Sequence, residues 1–301
     1  MDGFLGVLKP PGMTSHDVVR FLRKIMPSSK AGHLGTLDPG ASGVILIALG
    51  NATRLIEFFP EERKCYRAEL LLGFESDTLD LFGNVSPTGD ISGINFSAVE
   101  EAVKKFKGEI LQTPPIFSAI SKNGQRAYTL ARKGVNFTLE QRKVMFHSIE
   151  IADFKPPRVM LDIACRGGTY IRSLCFDIGR VLGCGAVMSF LVRTESHGIK
   201  LEESFLLSEV ERLAKTVKPA DFLISPVKAF KNMPVYEAGG IFLEKILHGS
   251  AVHIEALKEL RPGAGERILV FDADGNLAAA ARLDRANGGV LPIKVFAGSR
   301  K

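Results

Sequence analysis

Several features are missing from this 301-residue chain, and each gap excludes a class of protein. It has no apolar run of transmembrane length and no Gly-Lys-Ser or Gly-Lys-Thr ending of a phosphate-binding loop. Its four cysteines never occur as Cys-x-x-Cys pairs, and no histidine cluster completes a zinc site. We therefore expect reduced thiols in a cytoplasmic protein that does not bind a membrane.

The charge of the chain is positive and unevenly distributed. The formal net charge is +6, and residues 232–301 contain nine basic and eight acidic residues, so most of the excess lies in residues 1–231. Hydrophobic residues make up 46% and charged residues 24%, which is typical of a folded globular protein. A positive excess favours a polyanionic partner, and nucleic acid is a candidate.

Hydrophobic periodicity predicts more strands than helices. Strand patterns cover residues 4–8, 44–49, 64–72, 144–152, 158–165 and 186–192. Helical patterns begin near Thr14 or Ser15, cover 52–59, follow Ser97, and run from Thr169 to about Leu182. Since the strands do not alternate strictly with helices, we predict an α+β fold with a mixed, mostly antiparallel sheet and flanking helices.

The character of the sequence changes near residues 226–234, where prolines and then glycines interrupt it. We predict one domain over residues 1–231 and a small β-rich domain over residues 232–301. A hairpin is expected at residues 272–276, which read Asp-Ala-Asp-Gly-Asn. So short a unit buries little core of its own, and we expect it to dock on its neighbour.

A glycine-rich loop presents a single acid, Asp38. Residues 32–43 read Gly-His-Leu-Gly-Thr-Leu-Asp-Pro-Gly-Ala-Ser-Gly, and an apolar strand pattern follows at once. Glycines let the backbone approach a ligand closely, and Pro39 restricts the chain just after the acid. A carboxylate held at the rim of a core can act as nucleophile, general base or metal ligand. An isolated Asp-Pro-Gly is more often a plain turn, so other segments must support a catalytic role.

Two further segments contain residues suited to such a site. A predicted strand, glycine turn and helix start place Tyr170 and Arg172 at a helix N-terminus, where main-chain N–H groups favour anions. We hypothesise that Arg172 pairs with Asp38, because its guanidinium fork matches a carboxylate and keeps it ionised. Tyr66, between basic residues in Lys-Cys-Tyr-Arg, is suited to stacking on a nucleobase. Each segment alone also fits an ordinary packed or solvated role.

The remaining polar residues carry weaker signals. Asp77 and Asp80 lack the spacing of a metal-binding loop, and we interpret them as solvated loop residues. His33 precedes Asp38 by five positions, and a loop histidine without a second motif is usually neither ligand nor base. By pattern alone, Leu191 fits a core position and Lys9 fits an exposed turn.

Taken together, these segments resemble the B-type tRNA pseudouridine synthases, the TruB family. The resemblance rests on Lys9-Pro10-Pro11-Gly12-Met13-Thr14-Ser15, Gly32-His33-Leu34-Gly35-Thr36-Leu37-Asp38-Pro39, Lys64-Cys65-Tyr66, Gly168-Thr169-Tyr170-Ile171-Arg172 and Leu191-Val192-Arg193. Their order and spacing match the family across residues 3–230, and the second string is specific to it among pseudouridine synthases. Residues 232–301 resemble the family's PUA-type RNA-binding domain.

The resemblance implies a role for each matching residue. Asp38 corresponds to the catalytic nucleophile, Tyr66 to the residue that stacks against the target base, and Arg172 to the partner of the acid. The other implied substrate-site residues are His33, Tyr170 and Leu191 in the uridine pocket and Lys9 as a support of the loop.

The implied reaction converts a uridine in the T-loop of tRNA, position 55 in standard tRNA numbering, to pseudouridine. Uracil is detached from ribose at nitrogen, turned and rejoined through carbon, so the resemblance implies no metal and no cofactor. The base must flip out of its stack to reach a buried acid, at a cost of roughly a few kcal/mol. Whether Asp38 attacks the base or the sugar carbon stays open.

Three other functions fit parts of the pattern. A protein that only binds or folds tRNA would use the basic part of the chain but has no need of Asp38. A synthase directed by a separate guide RNA is disfavoured, because residues 112–135 resemble the insertion that grips the tRNA loop in stand-alone members. A phosphatase with an aspartate nucleophile would need a second acid and a metal site. We expect a monomer that modifies tRNA without guide RNA.

Overall fold

The computed structural model describes residues 2–26, 30–59, 63–118, 120–122, 124–135, 137–230, 233–253, 267–284 and 289–296. Within these ranges the chain forms a ten-stranded sheet, a five-stranded sheet and two short hairpins, with helices packed against the sheets. No helix in the described ranges is long and apolar enough to cross a membrane.

The elements follow one another along the chain in this order. The first group is β1 (Gly3–Lys9), α1 (Ser15–Ile25), β2 (Ala31–Leu34), β3 (Ser42–Leu49), β4 (Arg63–Leu72), β5 (Phe74–Ser76), β6 (Val85–Pro87), α2 (Phe96–Lys104) and β7 (Gly108–Gln112). The second is β8 (Ser121–Lys122), β9 (Gln125–Arg126), α3 (Ala127–Arg132), β10 (Arg142–Lys155), β11 (Arg158–Arg166), α4 (Ile171–Leu182), β12 (Ala186–Ser196), β13 (Ile199–Lys200) and β14 (Phe205–Leu206). The third is α5 (Leu207–Thr216), α6 (Pro226–Ala229), β15 (Val235–Glu237), α7 (Gly240–Leu247), β16 (Val252–His253), β17 (Arg267–Phe271), β18 (Leu277–Asp284) and β19 (Gly289–Val295).

The large sheet confirms the predicted fold class. Its strands follow the order β14-β1-β3-β12-β4-β11-β10-β7, with β2 on β3 and β13 on β12. The pairs β1–β14 and β3–β12 are parallel, and the other neighbours on this path are antiparallel. In the middle strand β4, Tyr66 lies between Ile163 of β11 and Arg193 of β12. This register brings β4 and β12 together beside the loop that precedes β3.

Helix α1 begins where the sequence predicts. Thr14 is the N-cap, and its hydroxyl accepts a hydrogen bond from the Asp17 N–H while the Asp17 carboxylate accepts one from the Thr14 N–H, at 3.0 Å each. This reciprocal capping box satisfies two main-chain donors that a helix start leaves free. Val18, Val19 and Leu22 are buried against the β1–β3 face of the sheet. The helix therefore anchors the chain on one side of the loop that contains Asp38.

The segment predicted as helical over residues 52–59 is a 3₁₀ helix over Gly50–Phe58. Its buried apolar residues Ala52, Leu55 and Phe58 are three positions apart. A 3₁₀ helix has three residues per turn, so this spacing places all three on one face, whereas an α-helix would rotate them apart. The apolar spacing therefore favours the tighter helix.

The five-stranded sheet has the order β15-β17-β18-β19-β16 and docks on the large sheet through a shared apolar cluster. In this cluster Phe4, Phe58 and Phe230 pack with residues of the small sheet that include Phe271 and Phe296. The expected docking is confirmed by these contacts. The predicted boundary between residues 231 and 232 falls outside the described residues, and the division into two domains stays a prediction.

The docking contact predicts a large effect for Phe58→Ala. Phe58 is buried in the shared cluster, and the Arg267 guanidinium lies 5.3 Å from its ring centroid. Truncation leaves a cavity between the two sheets and should lower the free energy of unfolding by about 3–5 kcal/mol. Urea unfolding, monitored by circular dichroism, measures this loss in the free energy of unfolding. Phe190→Ala, at a half-exposed position of β12, is the matched control, and equal losses for both variants would contradict the prediction.

Candidate active site

A cleft of about 650 Å³ opens beside the loop between β2 and β3. Its walls come from that loop, β4, the segment after β5, residues 117–118, the start of α4, and β12. The lining includes Asp38, Tyr66, Asp80, Phe82, Ser118, Tyr128, Tyr170, Arg172 and Leu191. Segments far apart in sequence thus converge on one cavity, and five residues that the resemblance assigns to the site, Asp38, Tyr66, Tyr170, Arg172 and Leu191, are among its lining.

The loop that contains Asp38 is held from below by buried groups. The Lys9 ammonium is buried and donates to three main-chain carbonyl oxygens, including that of Pro39 at 3.2 Å. Ser15 accepts from the Leu37 N–H at 2.9 Å and donates to the Leu37 carbonyl at 3.2 Å. Burial lowers the pKa of Lys9 to about 8, against the opposing effect of the Asp38 charge. These contacts fix the backbone on both sides of the acid.

Arg172 forms an ion pair with Asp38. Its Nε lies 2.8 Å from Oδ2, and its Nη2 donates to Oδ1 at 3.2 Å. The Nε–H bond is not directed at an Asp38 oxygen, so the contact between Nε and Oδ2 is electrostatic only. The hydrogen bond of the pair is the one that Nη2 donates to Oδ1. Nη1 also donates to the carbonyl oxygen of Thr78 at 2.8 Å, and Nη2 to that of Phe117 at 3.1 Å. The guanidinium is thereby oriented from three sides, which leaves it little freedom to turn away from the carboxylate.

The surroundings of Asp38 act on its ionisation in opposite directions. Burial raises the pKa of the carboxyl group above its ordinary value, while the Arg172 guanidinium lowers it and the nearby Asp80 carboxylate raises it. The side chain of Asp38 keeps 35% of its surface accessible, on the side of the cleft, whereas that of Arg172 is 5% accessible. The ionised acid therefore depends on Arg172 and faces the cavity that a substrate would fill.

Asp80 corrects an interpretation made from the sequence. We interpreted it as a solvated loop residue, but it is buried, lines the cleft, and lies 3.7 Å from Nη1 of Arg172. Its Oδ1 accepts from the Thr78 hydroxyl at 2.6 Å and from the Phe82 N–H at 3.0 Å. A short loop folds back on itself through these bonds, and sequence spacing does not reveal that it folds against α4. Asp80 is part of the charge network of the site.

Aromatic and apolar side chains form the walls above the acid. Tyr66 and Leu191 are buried on the adjacent strands β4 and β12 and line the cleft. Burial raises the pKa of the Tyr66 phenol, so its hydroxyl stays protonated at neutral pH. Tyr170 is held at the start of α4, where its main chain exchanges hydrogen bonds with the Gln112 side chain at 2.9 and 3.0 Å. Helix α4 begins at Ile171, two residues after the start at Thr169 that the sequence predicts.

Two residues expected at the substrate site lie outside the cleft lining. Lys9 is beneath the loop, where it supports the backbone. His33 lies half-buried on β2, and its buried Nδ1 has no hydrogen-bond partner within the described ranges. Burial and the positive charge of Arg193 lower the pKa of His33, which favours the neutral imidazole. The structure thus places both residues next to the loop and not in contact with the cavity.

Arg193 is a supporting residue to which the sequence analysis gave no role. It is completely buried on β12, and its guanidinium donates to the carbonyl oxygens of Val44, Thr36 and Gly35 at 2.7, 3.3 and 3.1 Å. Gly43 permits the close approach of the β3 and β12 backbones at this point, because a Cβ there would lie 2.2 Å from the Arg193 carbonyl oxygen. The available signal was an arginine directly after the apolar strand pattern of residues 186–192. Through these hydrogen bonds Arg193 ties the start of the Asp38 loop to β12.

Among the described residues, no group of three or more His, Cys, Asp or Glu side chains could hold a metal ion. The charged side chains that line the cleft are those of Asp38, Lys64, Asp80 and Arg172. Lys9 and Arg193 lie behind the Asp38 loop, where they donate hydrogen bonds to its main-chain carbonyl oxygens. Such a site can offer a carboxylate to an electrophilic carbon while cations stabilise its charge.

Comparisons with known proteins agree across most of the chain. The family model for the TruB family pseudouridylate synthase (N terminal domain) matches residues 23–171, and that for the tRNA pseudouridylate synthase B C-terminal domain matches residues 172–229. A tRNA pseudouridine synthase B from Heliobacterium modesticaldum is 42% identical over 258 residues, which cover 85% of this chain and 83% of the relative. One from Dehalococcoides mccartyi is 39% identical over 297 residues, or 98% and 97% of the two chains.

Solved structures share the architecture. A chain from a Cbf5-Nop10-Gar1 complex is similar with a TM-score of 0.71 at 26% identity, over 98% of this chain and 84% of that chain. A chain from an H/ACA RNP bound to a substrate RNA containing 2'-deoxyuridine gives 0.70 at 24% identity, with the same coverage. These similarities confirm the pseudouridine synthase fold that the sequence resemblance implies.

The ion pair predicts how Asp38 titrates when Arg172 is changed. Arg172→Met removes the largest influence that lowers the Asp38 pKa, so the pKa should rise further, and Arg172→Lys should raise it less because a positive charge remains. Carbon-detected NMR of the carboxyl group measures both shifts. Arg67→Met, which breaks the exposed Arg67–Asp162 pair, is the control. An unchanged Asp38 titration in Arg172→Met would contradict the assigned pairing.

Proposed function

This chain belongs to the TruB family of tRNA pseudouridine synthases, and we propose that it acts on the T-loop uridine at position 55 in standard tRNA numbering, with Asp38 as nucleophile. It is an isomerase that makes pseudouridine in tRNA. The observation that carries the proposal for Asp38 is its pairing with Arg172 at the base of a cleft whose walls include Tyr66 and Leu191.

The chemistry of isomerisation fits a single carboxylate. The bond between uracil N1 and ribose C1′ breaks, a bond from uracil C5 to C1′ forms, the C5 hydrogen leaves as a proton, and N1 gains one. Atoms and electrons balance without an oxidant, a reductant or a hydrolytic water. We propose that an Asp38 oxygen bonds transiently to a carbon of the nucleotide and is released at the end, which divides one difficult exchange into easier steps.

The surrounding residues have separate roles in this proposal. Arg172 keeps Asp38 ionised and fixes its orientation. Tyr66 offers a flat face for the flipped uracil, and its protonated hydroxyl can donate a hydrogen bond. Leu191 and Tyr170 close the sides of the pocket and exclude water. Stacking of about 1–3 kcal/mol per base offsets part of the cost of extruding the uridine.

We propose that tRNA is the substrate without a guide RNA, and that the enzyme is a cytoplasmic monomer. The two relatives named tRNA pseudouridine synthase B that are compared above are 42% and 39% identical to the chain, against 24–26% for the compared chains from RNP complexes. We also propose that the small sheet acts as a PUA-like RNA-binding unit within a domain of residues 232–301. Its docking on the large sheet would hold it at a constant position relative to the cleft.

The function predicts conversion of a T-arm transcript by the purified protein alone. A stem-loop labelled with tritium at C5 of its uridines should release one tritium per molecule, because the C5 hydrogen is lost when the carbon–carbon bond forms. The control transcript has cytidine in place of the target uridine and should release none. Absence of release from both the T-arm and full-length tRNA would refute the proposed substrate, and release only after addition of a guide RNA would refute guide independence.

The role of Asp38 predicts a selective loss in Asp38→Asn. The amide keeps the shape of the side chain but is not a nucleophile, so the single-turnover rate should fall by about 10⁴-fold or more. Affinity for the transcript, measured by filter binding, should change less than threefold. Asp162→Asn, an exposed acid on β11, is the matched control and should keep the full rate. A wild-type rate in Asp38→Asn would remove Asp38 from the mechanism.

A further inference from the structure

Phe82 lies at the mouth of the cleft with most of its ring in solvent. It is 73% exposed and lines the same cavity as Asp38. It belongs to none of the hydrophobic clusters formed by the described residues. The neighbouring Leu81 is also exposed. A large aromatic side chain beside a functional cavity, outside every core, does little for folding and offers contact area to a ligand.

The position of Phe82 is tied to the charge network of the site. Its N–H donates to the Asp80 carboxylate at 3.0 Å, and Asp80 in turn lies 3.7 Å from the Arg172 guanidinium. Its ring lies against Gly40, where an added Cβ would be 1.9 Å from a ring carbon. One side of the ring is therefore occupied by the backbone of the Asp38 loop. The rest of the ring is open to solvent.

We infer that Phe82 is a stacking platform for a nucleobase of the tRNA next to the extruded uridine, an inference that rests on the proposed function. When one base leaves a stacked loop, its neighbour loses a stacking partner, and an aromatic face at the mouth of the cleft replaces it. Tyr66 is buried inside the cavity and serves the target base itself. Phe82 is thus a positioning residue that contacts RNA outside the reacting nucleotide.

The test compares Phe82→Ala, Phe82→Leu and Phe82→Tyr by steady-state kinetics on the T-arm transcript. Loss of the aromatic face should raise KM about fivefold to twentyfold in Phe82→Ala and nearly as much in Phe82→Leu, whereas kcat should change less than twofold. Phe82→Tyr should restore the wild-type KM, because the ring is kept. Phe190→Ala, half-exposed on β12 and outside the cleft lining, is the control and should not change KM.

Each contrary result overturns the inference. An unchanged KM in Phe82→Ala means that the ring does not contact the substrate. A Phe82→Leu variant equal to wild type means that apolar contact, and not stacking, is sufficient. A fall in kcat with constant KM would assign Phe82 to support of the Asp80–Arg172 network instead.

Gly40 provides a second test that depends on the packing of the ring. Gly40→Ala places a methyl group where the Phe82 ring lies, so the ring has to move and KM should rise in the wild-type background. In the Phe82→Ala background the ring is absent, and the same substitution should add less than a twofold change. Equal effects of Gly40→Ala in both backgrounds would show that the two positions are not coupled.

A binding measurement separates this inference from the proposed function. A 2-aminopurine placed next to the target uridine loses fluorescence when it stacks, so wild-type protein should quench it more than Phe82→Ala does. Failure of the wild-type protein to form pseudouridine, with quenching intact, would refute the proposed reaction alone. Normal turnover with equal quenching by both proteins would refute the role of Phe82 alone.

Discussion

A half-buried carboxylate at the base of a cleft is costly to ionise unless a cation lies beside it, and Arg172 supplies that cation to Asp38. The guanidinium is itself buried, and the carbonyl oxygens of Thr78 and Phe117 accept its remaining hydrogen bonds. Three parts of the chain must therefore be in place before the acid is stable as an ion. This requirement couples the chemistry of the site to the completed fold.

Two other buried cations act on the backbone of the same loop. Lys9 donates to carbonyl oxygens on one side of Asp38, and Arg193 donates to those of Gly35 and Thr36 on the other. With Arg172 they place three positive groups near two carboxylates, those of Asp38 and Asp80. This excess of positive charge around the Asp38 loop suits a polyanionic substrate.

Residue identity and spacing predicted much of this arrangement. The glycine loop, the strand containing Tyr66 and the helix whose first turn contains Arg172 were located from sequence, although the start of that helix was placed at Thr169, two residues early. The pairing of Arg172 with Asp38 was stated as a hypothesis that the geometry supports. Asp80 was misjudged and Arg193 was given no role, because each acts through partners more than 90 positions away. His33 was assigned to the uridine pocket with the motif but lies beside the loop, outside the cleft lining, whereas Lys9, which was expected to support the loop, lies beneath it.

Local patterns determined where strands and helices form, since burial periodicity and capping depend on residues a few positions apart, as in the Thr14–Asp17 box. They also determined the family, because whole strings match its motifs. Only the tertiary structure decided which side chains meet at the cleft, how the small sheet docks, and that Phe82 stays exposed beside Asp38. The physical reason is that burial and electrostatic pairing depend on distances between segments, which strand order and register establish and sequence spacing does not.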